Sequence, residues 1–469
     1  MKTTSDRSGD RQRHWIRAGL SMLPAVLACL SSGAQAQGET EIRIDPSVSH
    51  QTMEGWGGNI YPHAHRHRQH DPALYDKAFR ELHTTHMRVR SYWYRLEGEN
   101  DNDDSETIDF DALKKYDKGL VRDEFLMQKA MAERGVKLLF ASWRFPFWMI
   151  GKPADWRPKS GDRPAFPKRM EAEYVESLAA YMLYGRKHYG FTFDAVSVAN
   201  EPMLGIYVKH DPARLVRMTR ALKERLAKAG YTTRFYCPDV TQGDMTGVRR
   251  AESFFAQKAS TGLSCCVAYH SYRPRVAALR KFRELARKVG LPVWVTEQNY
   301  TPVAPGDRFE WSHAMKNAVA IHDLLVESEM ALCAHFCYVA SSENGLVVYN
   351  PKSKKWGRMY DVLKQFHKHV PPGSVRVDAK PKRTANGVRT VAFRLPEKKG
   401  LTAVVVNASS KPQTVRVAVK GGAAAIESMR RSSKSAFYEA VDLPVAPGED
   451  RPGLELAPRS VTSLTLRLP

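Results

Sequence analysis

The sequence predicts an α/β protein: a (β/α)8, or TIM, barrel carrying a C-terminal antiparallel β-sandwich as a side domain. Three observations lead there. From about residue 54 to 370, short β-branched or aromatic runs alternate with stretches of 3.6-residue periodicity. Eight such runs occur, each apolar almost throughout, as strands covered on both faces require. After about residue 372 the texture changes to period-two alternation broken by turn residues, the pattern of a small sandwich. Eight strands alternating with helices argue for a closed barrel. A doubly wound open sheet is the alternative, but no GxGxxG turn follows any strand.

The elements follow in order. Residues 1–36 read as a signal peptide, with Arg11, Arg13 and Arg17 ahead of the apolar stretch 18–30 and the small-x-small site Ala34-Gln35-Ala36. An apolar stretch of about 13 residues is too short to anchor the chain across a bilayer, so the expected location is secreted or periplasmic. Val26-Leu27-Ala28-Cys29 offers a lipoprotein alternative. Residues 37–53 are assigned to an N-terminal strand, through the run 41–44, that pairs with the side domain. The barrel is assigned to residues 54–372, with strands at 55–58, 86–92, 136–142, 193–199, 233–237, 264–270, 292–297 and 331–338. Asp71-Pro72 opens one helix, with Leu74, Phe79 and Leu82 on its apolar face. Asp211-Pro212 opens another, with the stripe Leu215, Met218, Leu222 and Leu226; Asp is the N-cap in each case and Pro stands in the first turn. A third carries Val276, Leu279, Phe282, Ala286 and Val289. Pro371-Pro372-Gly373 ends the barrel. Residues 373–469 form the sandwich, with alternating runs at 388–395, 401–407, 414–419 and 460–467.

Composition narrows the function classes. The 469 residues are 43% hydrophobic and carry 72 Lys plus Arg against 50 Asp plus Glu, a net charge of +22. Removing residues 1–36 takes away five basic and two acidic residues and leaves +19. Such a balance favours an acidic partner and says nothing about the fold. The basic residues are dispersed and no nucleic-acid recognition motif is present, so nucleic acid is not an expected partner. Cys237, Cys265, Cys266, Cys333 and Cys337 lie in apolar runs, as buried free thiols do, although one disulfide between neighbouring strands would be compatible. No Cys-x-x-Cys pair suggests zinc.

Barrel chemistry belongs at the carboxyl ends of the strands. Glu201, in Asn200-Glu201-Pro202, and Glu297, in Val295-Thr296-Glu297, both end apolar runs. A carboxylate there is costly unless it is paired or functional. Two facing one cleft can divide labour, one holding a proton and the other staying ionised as nucleophile. Retaining glycoside hydrolysis requires this, with carboxyl groups about 5–5.5 Å apart. Two strand-end glutamates in structural ion pairs are the plain alternative.

At this point the chain resembles a known family. Asn200-Glu201-Pro202 after an apolar strand resembles the acid/base strand of clan A glycoside hydrolases, and further segments narrow it to family 30, which includes glucosylceramidases, xylanases and β-1,6-glucanases. Gly55-Trp56-Gly57-Gly58 resembles that family's first barrel strand, and Trp143-Arg144-Phe145-Pro146-Phe147-Trp148-Met149 its segment after the third. Ala268-Tyr269-His270-Ser271-Tyr272 resembles the sixth-strand motif, and residues 357–377 the last helix and its exit. The resemblance spans about residues 42–469. It implies Glu201 as general acid/base and Glu297 as nucleophile. Arg88, Asn200, Tyr272 and His270 would support them: Arg88 beside the nucleophile, Asn200 on the sugar 2-hydroxyl, Tyr272 donating to Glu297. Trp56, Trp143, Trp148 and Tyr300 would bind the sugar, aromatic faces being the usual platform for it. No metal or cofactor is implied.

Two departures stand out. Where the family offers a Trp on the eighth strand, this chain has His335-Phe336-Cys337-Tyr338, so the stacking surface there is smaller or differently placed. The loop after the first strand carries His63, His65, His67 and His70 among Arg66 and Arg68. Metal ligation, a solvated cationic loop, and contact with a uronate-bearing glycan are all open for it. The acidic stretch 97–106 fails the twelve-residue calcium-loop spacing and reads as a polar loop. The expected function is an exported retaining β-glycosidase, acting as a monomer on a carbohydrate. A catalytically silent carbohydrate-binding protein on the same scaffold is the alternative.

Overall fold

The structure, a computed structural model, describes residues 40–60, 72–156, 166–202, 211–241, 243–260, 262–301, 309–339, 349–350, 355–398, 400–422, 425–443 and 453–467. Residues 1–36 and the His63–70 loop therefore lie outside the described residues. Among the described residues, no helix is long and apolar enough to cross a membrane.

The barrel expectation holds. Eight parallel strands occur in order: Gly55–Ile60, His86–Arg90, Lys137–Ala141, Ala195–Ser197, Arg234–Phe235 continuing as Cys237–Val240, Val267–Ser271, Val293–Gln298 and Met330–Val339. The eighth pairs with both the seventh and the first. The fifth closes the ring, since Phe235 pairs with the fourth strand and Cys237 with the sixth. The glycines of the first strand have a steric reason: a side chain at Gly57 would collide with the His86 carbonyl, and one at Gly58 with the Tyr338 ring.

Helices cover the barrel where their sequence periodicity places them. In Pro212–Lys228, Asp211 caps the first turn by accepting from the Arg214 N–H at 3.0 Å, and Leu215, Met218, Leu222 and Leu226 are buried. In Val276–Val289 the buried stripe is Ala278, Leu279, Phe282, Leu285 and Ala286. The helix from Pro72 differs from expectation, passing at Asp76 into a π-helix that ends at Glu81.

The C-terminal strands form one nine-stranded antiparallel-rich sheet folded around its own core. Thr40–Thr52 enters it between Val375–Lys380 and Gln413–Val419, so the start and end of the described chain share a sheet. The strand Leu401–Asn407 is buried on both faces. Ala403 and Val405 join the sandwich core, whereas Val404 and Val406 pack into the barrel's cluster. Burying a valine contributes roughly 1.5–3 kcal/mol, so this seam is a substantial hydrophobic contact. Polar bonds register it: Ser463 Oγ donates to Gln365 Oε1 at 2.6 Å, and Arg358 Nη2 to the Ser433 carbonyl at 2.6 Å. Cys237, Cys265, Cys266, Cys333 and Cys337 are all free thiols, four of them buried.

Candidate active site

Arg88 organises the site. It projects from the second strand with no exposed surface. Its Nη1 donates to Glu297 Oε1 at 2.5 Å and to Asn59 Oδ1 at 3.0 Å. Its Nη2 donates to Asn200 Oδ1 at 2.6 Å and to Asp239 Oδ2 at 2.7 Å, and its Nε to the Tyr236 hydroxyl at 3.1 Å. Five partners, from strands one, five and seven and from the turn after strand four, thus meet one guanidinium, whose planar fork can serve several acceptors at once. Its charge costs little here because two carboxylates neutralise it and its hydrogens are bonded.

Glu297 ends the seventh strand. Besides Arg88, it accepts a hydrogen bond from the Tyr272 hydroxyl on Oε2. Glu201 stands across from it after the fourth strand. Its backbone has φ 44°, a left-handed conformation uncommon for a residue with a side chain, and its N–H donates to the Asp239 carbonyl at 3.1 Å. The turn is held by the preceding residue too, since the Asn200 N–H donates to the Ser142 carbonyl at 2.8 Å.

His270, on the sixth strand and fully buried, lies between the carboxylates. Its Nδ1 is 2.7 Å from Glu201 Oε1 and 3.5 Å from Glu297 Oε2, and its Nε2 is 3.3 Å from Asp239 Oδ1. One oxygen each of Glu201 and Glu297 and one His270 nitrogen lie within 4.8 Å of one another. Burial opposes charging the imidazole, but Glu297, Asp239 and the bond to Glu201 outweigh it and raise its pKa to about 10. The same contact has the opposite effect on Glu201: burial raises its pKa, yet the His270 hydrogen bond and charge bring it below the usual carboxylate value. Sequence reasoning expects a carboxyl raised by its surroundings. The structure instead lowers the Glu201 carboxyl and raises the His270 imidazole, because the histidine sits among three carboxylates. A metal could be spanned by such a set in distance alone. However, Glu297 already accepts from Arg88 and Tyr272, and Glu201 is joined to His270, so these oxygens are committed to protein donors.

The four sugar-binding candidates divide. Trp143 reaches the site: its ring lies 4.3 Å from the Arg88 guanidinium, among the side chains filling the barrel interior. Trp148 and Tyr300 are half-buried on loops at the same end of the barrel, and neither hydrogen-bonds to the glutamates among the described residues. Trp56 is a correction. It is fully buried on the opposite face of its strand, its Nε1 donates to the Val370 carbonyl at 2.6 Å, and its ring stacks on His367. Strand alternation explains this: Asn59 points into the barrel toward Arg88, so Trp56, three residues earlier, points out toward the last helix.

Sequence reasoning missed Asp239, Asn59 and Tyr236. Asp239 is fully buried, accepts from Arg88 and from Thr296 Oγ1 at 2.5 Å, and faces His270. Burial raises its pKa, but Arg88 and His270 prevail and hold it at about 2. The signal was an aspartate in an apolar strand, but the fifth-strand run was closed at residue 237. Phe336, on the eighth strand, stands edge-on to Tyr272 with centroids 5.8 Å apart.

Comparison with known proteins defines the class. Residues 373–436 match the glycosyl hydrolase family 30 beta sandwich domain. The chain is similar in structure to the glycoside hydrolase family 30 subfamily 8 xylanase Xyn30A from Clostridium acetobutylicum, with a TM-score of 0.71 and 18% identity over 91% of this chain and all of that one. It is similar to the catalytic domain of GH30 xylanase C from Talaromyces cellulolyticus, with a TM-score of 0.69 and 16% identity over 91% of this chain and all of the other. It is also similar to SrfJ from Salmonella typhimurium, with a TM-score of 0.68 and 16% identity over 93% and 94% of the two chains. No curated protein matches in sequence. The sandwich is thus of the family 30 type, and barrel plus sandwich has the fold of solved family 30 enzymes.

Proposed function

We propose that the protein is an exported O-glycosyl hydrolase that cleaves β-glycosidic bonds with retention of configuration. One observation carries the reading: Glu201 and Glu297 face each other within reach of His270, one bonded to that histidine and the other held by Arg88 and Tyr272. Glu297 attacks the anomeric carbon while the proton between Glu201 and His270 passes to the leaving oxygen. Glu201, back in its ionised form, then removes a proton from the water that releases the sugar. Asn200, fixed by Arg88, presents its amide nitrogen toward the sugar, and Trp143 forms an aromatic wall. Export rests on the signal-like residues 1–36, and a β-linked glycan as substrate rests on the xylanases of like fold. The net charge of +22 puts uronate-bearing polymers beside neutral ones in the substrate panel.

The test is product analysis by NMR on that panel, with Glu297→Gln as control. The β-anomer forms first, and the variant loses turnover by more than about a thousandfold while keeping its fold and its sugar affinity. An α-anomer as first product contradicts the covalent intermediate. Binding without turnover in the unaltered protein leaves the silent carbohydrate binder as the reading.

A further inference from the structure

A second group of acids lies away from the catalytic pair. Sequence reasoning treats 97–106 as a polar loop, yet Glu97 is only 3% exposed. It follows the short 3-10 turn Trp93–Arg95 beyond the second strand. Facing it are Glu173 and Glu176, one turn apart near the start of the helix Glu171–Tyr189, whose N-terminus lies after the third strand. One oxygen from each of Glu97, Glu173 and Glu176 lies within 4.8 Å of the others. The second, independent observation is that these groups are unsatisfied. Both oxygens of Glu97, both of Glu176, Oε2 of Glu173 and Oδ1 of Asp101 are buried and accept no hydrogen bond. Glu176 is 1% exposed. The Ser177 hydroxyl lies beside Glu97, but by distance and angle it makes no hydrogen bond. Arg225, the neighbouring cation, spends its Nη1 on the Ser105 carbonyl.

Native proteins pair buried carboxylates, so oxygens converging without donors need either protons or a cation. We propose that Glu97, Glu173 and Glu176, with Asp101 beside them, bind a divalent cation of the calcium type. The donors are all hard oxygens, which excludes the softer transition metals. Calcium ligands stand about 2.3–2.6 Å from the ion, so two on opposite sides are about 4.6–5.2 Å apart; magnesium's octahedron is narrower, about 4.0–4.2 Å across. Three carboxylates gathered within 4.8 Å of one another, with a fourth beside them, make the all-protein oxygen site that calcium takes, whereas magnesium keeps several waters and takes only one or two carboxylates. Glu173 is only half-buried, which gives the ion a way in. The ion would tie the loop after the second strand to the helix after the third, on the side of the barrel that holds the active site.

The test uses the full chain after chelation, titrated with CaCl2 and separately with MgCl2, and followed by calorimetry and thermal unfolding. One calcium binds per chain, and the melting temperature rises by several degrees, with a smaller response to magnesium. Glu176→Gln loses the rise. Should Glu176→Gln not fold, Glu173→Gln at the half-exposed position weakens calcium binding by at least tenfold, while Glu106→Gln, in the same loop but outside the group, leaves it unchanged. Absence of calcium binding by the unaltered chain overturns the proposal. So does an undiminished response in the Glu173 variant, which would put the ion elsewhere, or a stability gain from Glu176→Gln without any calcium effect, which would mean the group holds protons.

Discussion

Asp239 is where the buried charges of the candidate active site converge. It faces Arg88 at 2.7 Å and His270 at 3.3 Å, and none of the three is accessible to water. Removing one member of a buried ion network leaves the others unpaired, which costs about 3–5 kcal/mol. Asp239→Asn should therefore destabilise the protein by that amount in urea denaturation, although it is isosteric and lies behind both glutamates. A loss below about 1 kcal/mol would show that Arg88 is satisfied without it. The pH windows follow from the shifts. Asp239 is lowered from 3.8 to about 2, so its contribution is complete above pH 3.8 and lost as pH falls through about 2. His270 is raised from 6.5 to about 10, so its contribution is complete below pH 6.5 and lost as pH rises through about 10. Stability from the centre is thus full only between these limits. Glu201 and Glu297 were legible as strand-end carboxylates; Asp239 was not, because its strand was read as ending two residues earlier.

At the scale of elements, legibility followed locality. The helix Pro212–Lys228 was readable because its cap, its Pro and its stripe lie within one stretch of chain. Replacing Asp211 by Ala removes the acceptor for the Arg214 N–H and should cost about 1 kcal/mol in thermal unfolding; no measurable change would mean that water replaces the cap. The π-helix at Asp76–Glu81 carries no such local signal. Trp56 fails for a related reason. A glycine-rich strand has few side chains to show which face is inward, and only the pairing with Arg88 through Asn59 settles it.

For the whole molecule, the sandwich is part of the barrel's packing. Phe393, Val404, Val406 and Val461 belong to the barrel's cluster, while the next residues along two of those strands, Ala392 and Val405, belong to the sandwich core. The two bodies should therefore unfold together. Scanning calorimetry of the full chain should give a single transition, and two resolved ones would mean the seam is weaker than its apolar burial implies. The first described strand, Thr40–Thr52, strengthens the coupling, since it lies in the sandwich sheet and leads directly into the first barrel strand.

The amino-acid sequence by itself determined the alternation that makes a barrel, the change to a sandwich after residue 372, and the two glutamates at strand ends. These are properties of periodicity and of single residues in short windows. Only the tertiary structure decided which aromatics face the site, that His270 bonds to Glu201, that Asp239 anchors Arg88, and that Glu97 joins Glu173 and Glu176. Each of these depends on distance between residues far apart in the chain, and a carboxylate's charge state is set by neighbours that only folding brings within a few ångströms.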